Sequence, residues 1–257
     1  MNYFNRQIRL FTGAIGRLFL LLPLLLAGCA TTKVPMDERW YPGLQSSGDT
    51  LVIALRGLGG SVDDFEKYGF VNALQSAYPS IDLVCPDAHY GYYRERSVVQ
   101  RLYNDVILPA RKKGYRSIYL VGVSLGGLGT LLELREHQDD FAGVVLLSPY
   151  TGEPEVHAAI ESYLDNEAPA PWRNSDVSDY DRDFYALWRW MIEHETLLDS
   201  GKIWLGYGEQ DRLSGHELLA SLLPVDRVIH QPGKHRAEVF VEIWKAILSK
   251  RPFTPGQ

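Results

Sequence analysis

The sequence lacks an excess of basic residues. It contains 26 lysines and arginines against 32 aspartates and glutamates, for a formal net charge of −6. A nucleic-acid partner needs a surface that neutralises phosphates, so this balance argues against one. The chain also lacks an apolar run of about 20 residues, the length that spans a membrane. Its hydrophobic content of 46% excludes a disordered or collagen-like chain and fits a folded domain with a sizeable core.

The first 28 residues differ in composition from the rest of the chain. Arg6, Arg9 and Arg17 accompany no acidic residue, and they are followed by the apolar run Leu18–Ala27 and then by Gly28. A positive region, a short apolar region and small residues at a cleavage site form a secretory signal peptide. An uncleaved signal anchor is the alternative, although the run is about half the spanning length.

The end of this leader, Leu26-Ala27-Gly28-Cys29, resembles the bacterial lipobox, where signal peptidase II cuts before a cysteine that becomes lipidated. The resemblance implies that residues 1–28 are removed and that Cys29 carries acyl chains, several of which anchor a protein stably in a membrane. Ala30 stands where aspartate is associated with inner-membrane retention. The resemblance therefore favours a lipid-anchored protein of the cell envelope, in the outer membrane and facing the periplasm.

Removal of the leader changes the charge and the number of thiols. It leaves 23 basic against 32 acidic residues, a net charge of −9. With Cys29 lipidated, Cys85 is the remaining thiol, so no intrachain disulfide can form. Cys85 lies in an apolar run and is predicted to be a small buried hydrophobic residue.

The chain after Cys29 divides into a tether, a domain and a tail. Residues 29–48 are mostly polar and contain Pro35, Pro42 and Gly43, which predicts a lipidated tether. The folded domain is predicted to span residues 49–250, and residues 251–257 form a C-terminal tail.

Short apolar runs alternate with segments of helical spacing through this domain. Runs without alternating polarity predict strands that are buried on both faces, as in a parallel sheet. The six predicted strands are Leu51–Leu55, Ile81–Cys85, Ile118–Gly122, Gly143–Leu147, Ile203–Tyr207 and Arg227–His230. The predicted helices are Asp63–Ala77, Ser97–Lys113, Leu125–His137 and Glu238–Leu248, and Pro109 is expected to kink or split the second. The alternation predicts a doubly wound α/β domain with a mainly parallel sheet of about six strands and helices on both faces.

Residues 150–199, here called the insertion, are too long for a simple crossover between the fourth and fifth strands. They contain many aromatic residues around Ala168-Pro-Ala-Pro171. A segment of this size at one end of a sheet is predicted to be a small lid or binding element. Helices that only cover the core are the alternative.

The segment Gly122-Val-Ser124-Leu-Gly126 fits the pattern G-x-S-x-G between a predicted strand and a predicted helix. A nucleophilic serine must lie on a sharp turn that projects its Oγ above the sheet, and side chains two residues away on either side would collide there. Ser124 is therefore the candidate nucleophile. A glycine-rich turn that only packs strand against helix is the alternative.

From about residue 50 to 248, the chain resembles the α/β-hydrolase fold family, in which the order is serine, acid, histidine. The resemblance implies the strand order 2-1-3-4-5-6 and assigns Asp211, in Gly208-Glu-Gln-Asp211 after the fifth strand, as the acid. It assigns His235, in Pro232-Gly-Lys-His235 after the sixth strand, as the general base. Arg56-Gly-Leu-Gly-Gly60 resembles the family's oxyanion loop, which would supply the N–H of Leu58 beside that of Leu125. Arg56 departs from the family's usual histidine.

Other polar residues compete for these roles. His230 lies within a predicted strand and is expected to be structural, and His216 is expected on the solvated surface. His89 follows the second strand, where it either lines the site or packs in its loop. Asp199 is an alternative acid, but it precedes its strand and so belongs to the wrong end of the sheet.

Metal and nucleotide chemistry find little support. His194-Glu-Thr-Leu-Leu198 lacks the second histidine of a zinc motif, and Gly57-Leu-Gly-Gly-Ser-Val62 lacks the third glycine of a dinucleotide fingerprint. We predict neither a metal nor an organic cofactor.

The resemblance implies a membrane-anchored serine hydrolase that cleaves a small-molecule or lipid-like carboxylic ester through an acyl-enzyme. A thioesterase or amidase of the same fold and a catalytically silent binding lipoprotein are the alternatives. The insertion carries twelve acidic residues and three arginines, a charge that is expected to repel anionic substrates. Neutral esters are therefore the expected substrates. The oligomeric state is left open.

Overall fold

The computed structural model describes residues 31–45, 48–174 and 176–253. The predicted signal peptide, the predicted lipidation site Cys29 and most of the C-terminal tail lie outside these residues. Within them, no helix has both the length and the apolar composition that crossing a bilayer requires.

The domain is built on a seven-stranded sheet. In chain order the strands are β1 Glu38–Tyr41, β2 Thr50–Leu55, β3 Asp82–Pro86, β4 Ser117–Val123, β5 Gly143–Leu147, β6 Ile203–Gly208 and β7 Val228–Gln231. Their order across the sheet is β1-β3-β2-β4-β5-β6-β7. All neighbouring pairs are parallel except β1 with β3. The six predicted strands thus form a parallel sheet in the predicted order, which confirms the doubly wound α/β fold.

Strand β1 is an addition to the predicted sheet. It lies within the segment predicted to be a tether, and it pairs antiparallel with β3, so that Arg39 lies opposite Cys85. Met36 and Tyr41 are buried, and Asp105 accepts a hydrogen bond from the Met36 N–H at 2.9 Å. The tether prediction is therefore wrong for residues 36–41, because this part of the chain belongs to the domain.

Helices cover both faces of the sheet. The helices are α1 Asp64–Lys67, α2 Phe70–Ala77, α3 Tyr90–Arg94, α4 Val98–Leu102, α5 Leu108–Lys112, α6 Leu125–His137, α7 Pro154–Leu164, α8 Asp179–Glu193, α9 Glu195–Leu198, α10 His216–Ser221 and α11 Ala237–Ser249. Side chains from α1, α2 and α11 pack in one core, and those from α3 to α10 pack in the other. Successive residues of β2 point alternately into the two cores, as the pleat of a strand requires.

Two predicted helices are interrupted. The segment 63–77 breaks at Gly69, whose φ of 90° is the left-handed conformation that glycine adopts readily. The segment 97–113 contains a π-helical stretch, Tyr103–Ile107, directly before α5, where Pro109 lies in the first turn. Proline has no N–H to donate, and the wider π turn accommodates this loss without ending the helix.

The insertion contributes to the core as well as to the cavity described below. Helix α8 packs on α6 and α7, and Trp188, which is fully buried, donates a hydrogen bond to the Thr151 carbonyl at 2.9 Å. Tyr150 and Tyr180 instead line the cavity next to Ser124. Part of the insertion thus covers the core and part lines the cavity, and its role as a lid stays a prediction.

Candidate active site

Ser124 occupies a strained turn between β4 and α6. Its φ and ψ are 53° and −114°, a conformation that a residue with a side chain rarely adopts. The flanking glycines permit this turn, because a Cβ at Gly122 would lie 2.3 Å from the Gly126 oxygen and a Cβ at Gly126 would lie 2.1 Å from the Leu55 oxygen. The crowding expected from the G-x-S-x-G pattern is thus present at both glycines.

Asp211 and His235 are in direct contact. Asp211 follows β6 and His235 follows β7, so both lie at the same end of the sheet as Ser124, which follows β4. Nδ1 of His235 lies 2.9 Å from each carboxylate oxygen of Asp211, and the side chain of Asp211 is 1% exposed. A buried carboxylate on Nδ1 fixes the imidazole tautomer that leaves Nε2 as the proton acceptor.

The pKa of Asp211 reflects two opposing effects. Burial alone favours the neutral acid, but hydrogen bonds from His235 and from the Leu213 N–H favour the carboxylate. Their sum holds the pKa of Asp211 below its ordinary value. The carboxylate is therefore charged at neutral pH and can stabilise an imidazolium.

A cavity of about 490 Å³ opens over this end of the sheet. Ser124 and His235 both line it, whereas Asp211 lies behind His235. Its apolar wall is formed by Phe65, Phe70, Val123, Leu125, Leu213 and Phe240, and its rim carries Tyr68, Tyr90, Tyr150 and Tyr180. The structure thus brings the predicted nucleophile and the predicted base to one cavity with mostly apolar and aromatic walls.

The predicted oxyanion loop borders the same cavity. Leu58 and Leu125 both line it, and Gly60 donates its N–H to the Gly57 oxygen at 3.2 Å to close a turn. Leu125 is the first residue of α6, where backbone N–H groups point out of the helix end and stabilise negative charge.

Arg56 also lines the cavity, and its side chain holds the oxyanion loop in place. Its side chain is 12% exposed, its Nε lies 2.7 Å from Oδ1 of Asp87, and its Nη1 donates a hydrogen bond to the Gly60 oxygen. Asp87 follows β3, so the pair joins two neighbouring loops at the active end of the sheet. Sequence reasoning did not find this pair, because only the strand order places Asp87 beside Arg56.

The competing histidines have structural contacts. The Nδ1 atom of His89 accepts the Gly91 N–H at 3.0 Å at the start of α3, so His89 packs in its loop. His230 is exposed and contacts Glu209. The prediction for His216 is wrong: it is buried and stacks on Tyr207 with ring centroids 5.2 Å apart.

Asp199 lies at the end of α9 before β6, away from the predicted triad, as expected. Within the described ranges, no cluster of three or more histidine, cysteine, aspartate or glutamate side chains is arranged to hold a metal ion.

Comparison with solved structures identifies the fold. A ferulic acid esterase has a TM-score of 0.54 and 17% identity, over 79% of this chain and 85% of its own. FphF, a fluorophosphonate-binding serine hydrolase of Staphylococcus aureus, has a TM-score of 0.54 and 16% identity, over 85% of this chain and 93% of its own. Est1E from Butyrivibrio proteoclasticus has a TM-score of 0.53 and 19% identity, over 84% and 95%.

No family model matches the chain, and no curated protein matches it significantly. The likeness to these structures establishes the fold, which is that of the α/β-hydrolases.

Proposed function

We propose that the protein is a serine hydrolase that cleaves carboxylic esters, with Ser124 as nucleophile, His235 as general base and Asp211 as its carboxylate partner. The observation that carries this proposal is the hydrogen-bonded Asp211–His235 pair at the same cavity as a serine held on a strained strand-to-helix turn. The serine hydrolases among the structures with this fold support it.

Each side chain has a defined part in the proposed reaction. Nε2 of His235 takes the Oγ proton of Ser124 while Oγ bonds to the ester carbonyl carbon. The N–H groups of Leu58 and Leu125 stabilise the resulting oxyanion. The carbon–oxygen bond to the alcohol then breaks, His235 returns the proton to the departing oxygen, and water releases the acyl group by the same steps.

The cavity supports esters with an aromatic or apolar part. Phe65, Phe70 and Phe240 form one wall, and tyrosines form the rim. Such walls bind a planar or aliphatic group by burial of apolar area. Two of the similar structures name ferulic acid in their descriptions and the description of another includes the words aryl esterase, which agrees with this substrate class.

The test is covalent labelling with a fluorophosphonate, followed by hydrolysis of p-nitrophenyl esters. Wild type should label and turn over, and Ser124→Ala should abolish labelling and reduce kcat by about 10⁴-fold or more. Ser221→Ala, an exposed serine at the end of α10, is the matched control and should behave as wild type. Wild type that neither labels nor hydrolyses any ester would refute the proposal and leave the binding alternative.

We further propose that the protein is anchored to the outer membrane through acyl chains on Cys29. The lipobox supports this part of the proposal. Mass spectrometry should find an acylated peptide that begins at Cys29, and Cys29→Ala should leave the protein with its leader and without acyl chains. Ala30→Asp, the matched variant, should retain acylation but shift the protein to the inner membrane. An N-terminal peptide without acyl chains in wild type would refute the anchor.

A further inference from the structure

Three arginines line the cavity, and two of them, unlike Arg56, lie directly beside the proposed catalytic pair. Arg212 directly follows Asp211, and Arg236 directly follows His235. Both line the cavity, and both are exposed. Asp211 and His235 are hydrogen-bonded to each other. The backbones of Arg212 and Arg236, one residue further along, are therefore held close to the reacting groups.

These two side chains differ from most arginines of the protein. Of the fifteen arginines in the described ranges, twelve make an ion pair, a hydrogen bond or a contact with an aromatic ring through the side chain. The three others in those ranges are Arg173, Arg212 and Arg236. Two of these three line the cavity. A guanidinium offers five N–H donors in a plane that matches a carboxylate or a phosphate.

The acidic side chains of the cavity belong to other elements and already accept hydrogen bonds. Asp64, on α1, accepts from the Ser61 N–H at 3.0 Å and from its hydroxyl at 3.2 Å. Glu153, before α7, accepts from the Tyr150 hydroxyl at 2.7 Å. Arg56 also lines the cavity, but its guanidinium is held by Asp87 and the Gly60 oxygen. The loops after β6 and β7 therefore carry two further guanidinium groups, while the carboxylates of the cavity belong to other elements.

The charge of the insertion does not make the whole cavity anionic. Of its twelve acidic residues, Glu153 is the one that lines the cavity. Others are paired with arginines elsewhere, as Asp179 is with Arg182 and Glu193 with Arg189. The sequence-based expectation of neutral esters rested on the summed charge of this segment, and the position of its acids removes that basis.

The proposed mechanism determines which part of the ester meets the arginines. His235 must give its proton to the departing oxygen, so the alcohol part of the ester lies on the His235 side of Ser124. Arg236 and Arg212 flank that side. We infer that the natural substrate is an ester whose alcohol part carries an anionic group, a carboxylate or a phosphate, which Arg212 and Arg236 bind. This inference rests on the proposed esterase function.

Two chromogenic esters that differ by one charge test the inference. They are 4-nitrophenyl acetate and 3-carboxy-4-nitrophenyl acetate, whose carboxylate is on the departing phenol. The quantity measured is the ratio of kcat/KM for the anionic ester to kcat/KM for the neutral ester. The two esters differ in chemical reactivity, but this difference is the same for every variant. It therefore cancels when the ratio for wild type is compared with the ratio for a variant.

The ratio should fall about three- to tenfold in Arg212→Gln and in Arg236→Gln, and further in the double variant, because each loses a charged donor to the anion. Added salt should lower the ratio in wild type more than in the double variant. The control is Arg173→Gln. Among Arg173, Arg212 and Arg236, Arg173 is the one that does not line the cavity, so this variant should leave the ratio and the activity unchanged.

Inhibition by benzoate and by phenyl phosphate distinguishes the two anions. Stronger competition by phenyl phosphate, lost in the double variant, identifies a phosphorylated alcohol, and stronger competition by benzoate identifies a carboxylated one.

A wild type that hydrolyses both esters with a ratio that neither arginine variant changes would overturn the inference and leave the proposed function intact. A wild type that hydrolyses neither ester and does not label at Ser124 would overturn both.

Discussion

Arg56 shows how a side chain at the edge of the cavity can hold the geometry of a neighbouring loop. The family pattern has histidine at this position, whereas here a guanidinium spans from Asp87 to the Gly60 oxygen. The Gly60 carbonyl ends the turn that presents Leu58 to the cavity. We therefore assign Arg56 as a positioning residue of the oxyanion loop.

Arg56→Gln should lower kcat for ester hydrolysis by about 10- to 100-fold with a smaller change in KM, since a misplaced oxyanion donor weakens the transition state more than the ground state. Arg56→Lys should restore part of kcat, because one ammonium can replace one of the two contacts. Steady-state kinetics on a neutral ester measures both effects.

The matched control is Arg101→Gln. Arg101 forms a comparably buried pair with Asp105 at 3.0 Å, away from the cavity. It should lower the melting temperature without lowering kcat. Equal losses of kcat in the Arg56 and Arg101 variants would show that Arg56 acts through stability alone.

At the scale of elements, the parallel strands were predictable because burial on both faces produces continuous apolar runs. Gly143–Leu147 has the predicted bounds, and helix Leu125–His137 does as well. Strand β1 escaped prediction, because Glu38-Arg-Trp-Tyr41 is short, polar at its start and stabilised by pairing with β3, which local sequence does not encode.

The same contrast between local and distant information applies to the site. The G-x-S-x-G pattern, and the order in which an acid and a histidine follow later strands, pointed to Ser124, Asp211 and His235. The structure places the last two in contact. The pair Arg56–Asp87 and the shared position of Arg212 and Arg236 depend on which loops meet at the end of the sheet. Those contacts follow from the order of the strands in the sheet, so no single segment of the sequence predicts them.

At the scale of the whole molecule, buried titratable groups make stability depend on pH in opposing directions. Burial lowers the pKa of His157 and His216, so their contribution to stability is lost as pH falls below about 6.5, the unfolded value. Burial raises the pKa of Glu133, on α6, to about 8, and nearby Asp140 and Glu136 add to the shift. The raised pKa of this acid has the opposite effect on stability, because the folded state binds the proton more tightly than the unfolded state and stability falls as pH rises.

Above pH 6.5 the unfolded chain loses its remaining histidine protons, which limits the two buried histidines to an opposing gain of at most about 0.8 kcal/mol together, so Glu133 dominates among these three. Its carboxyl is fully buried, with one oxygen 2.8 Å from Nδ1 of His137. In the unfolded chain its pKa is near the ordinary value of 4.5, and in the folded chain it is about 8. The stability it contributes is complete below pH 4.5 and is lost as pH rises through 8.

The free energy of unfolding of wild type should therefore fall by about 1–2 kcal/mol between pH 6.5 and 8.5, or roughly 2–8 °C in melting temperature, at about 1.4 kcal/mol for each pKa unit. Glu133→Gln stays neutral and keeps a hydrogen-bonding group beside His137, so its melting temperature should change much less over this range. Glu136→Gln, a half-exposed neighbour on the same helix, is the control and should retain most of the wild-type pH dependence. Thermal unfolding followed by circular dichroism at the two pH values measures all three proteins. Parallel pH profiles for wild type and Glu133→Gln would show that Glu133 ionises without cost in the folded protein and would contradict the prediction.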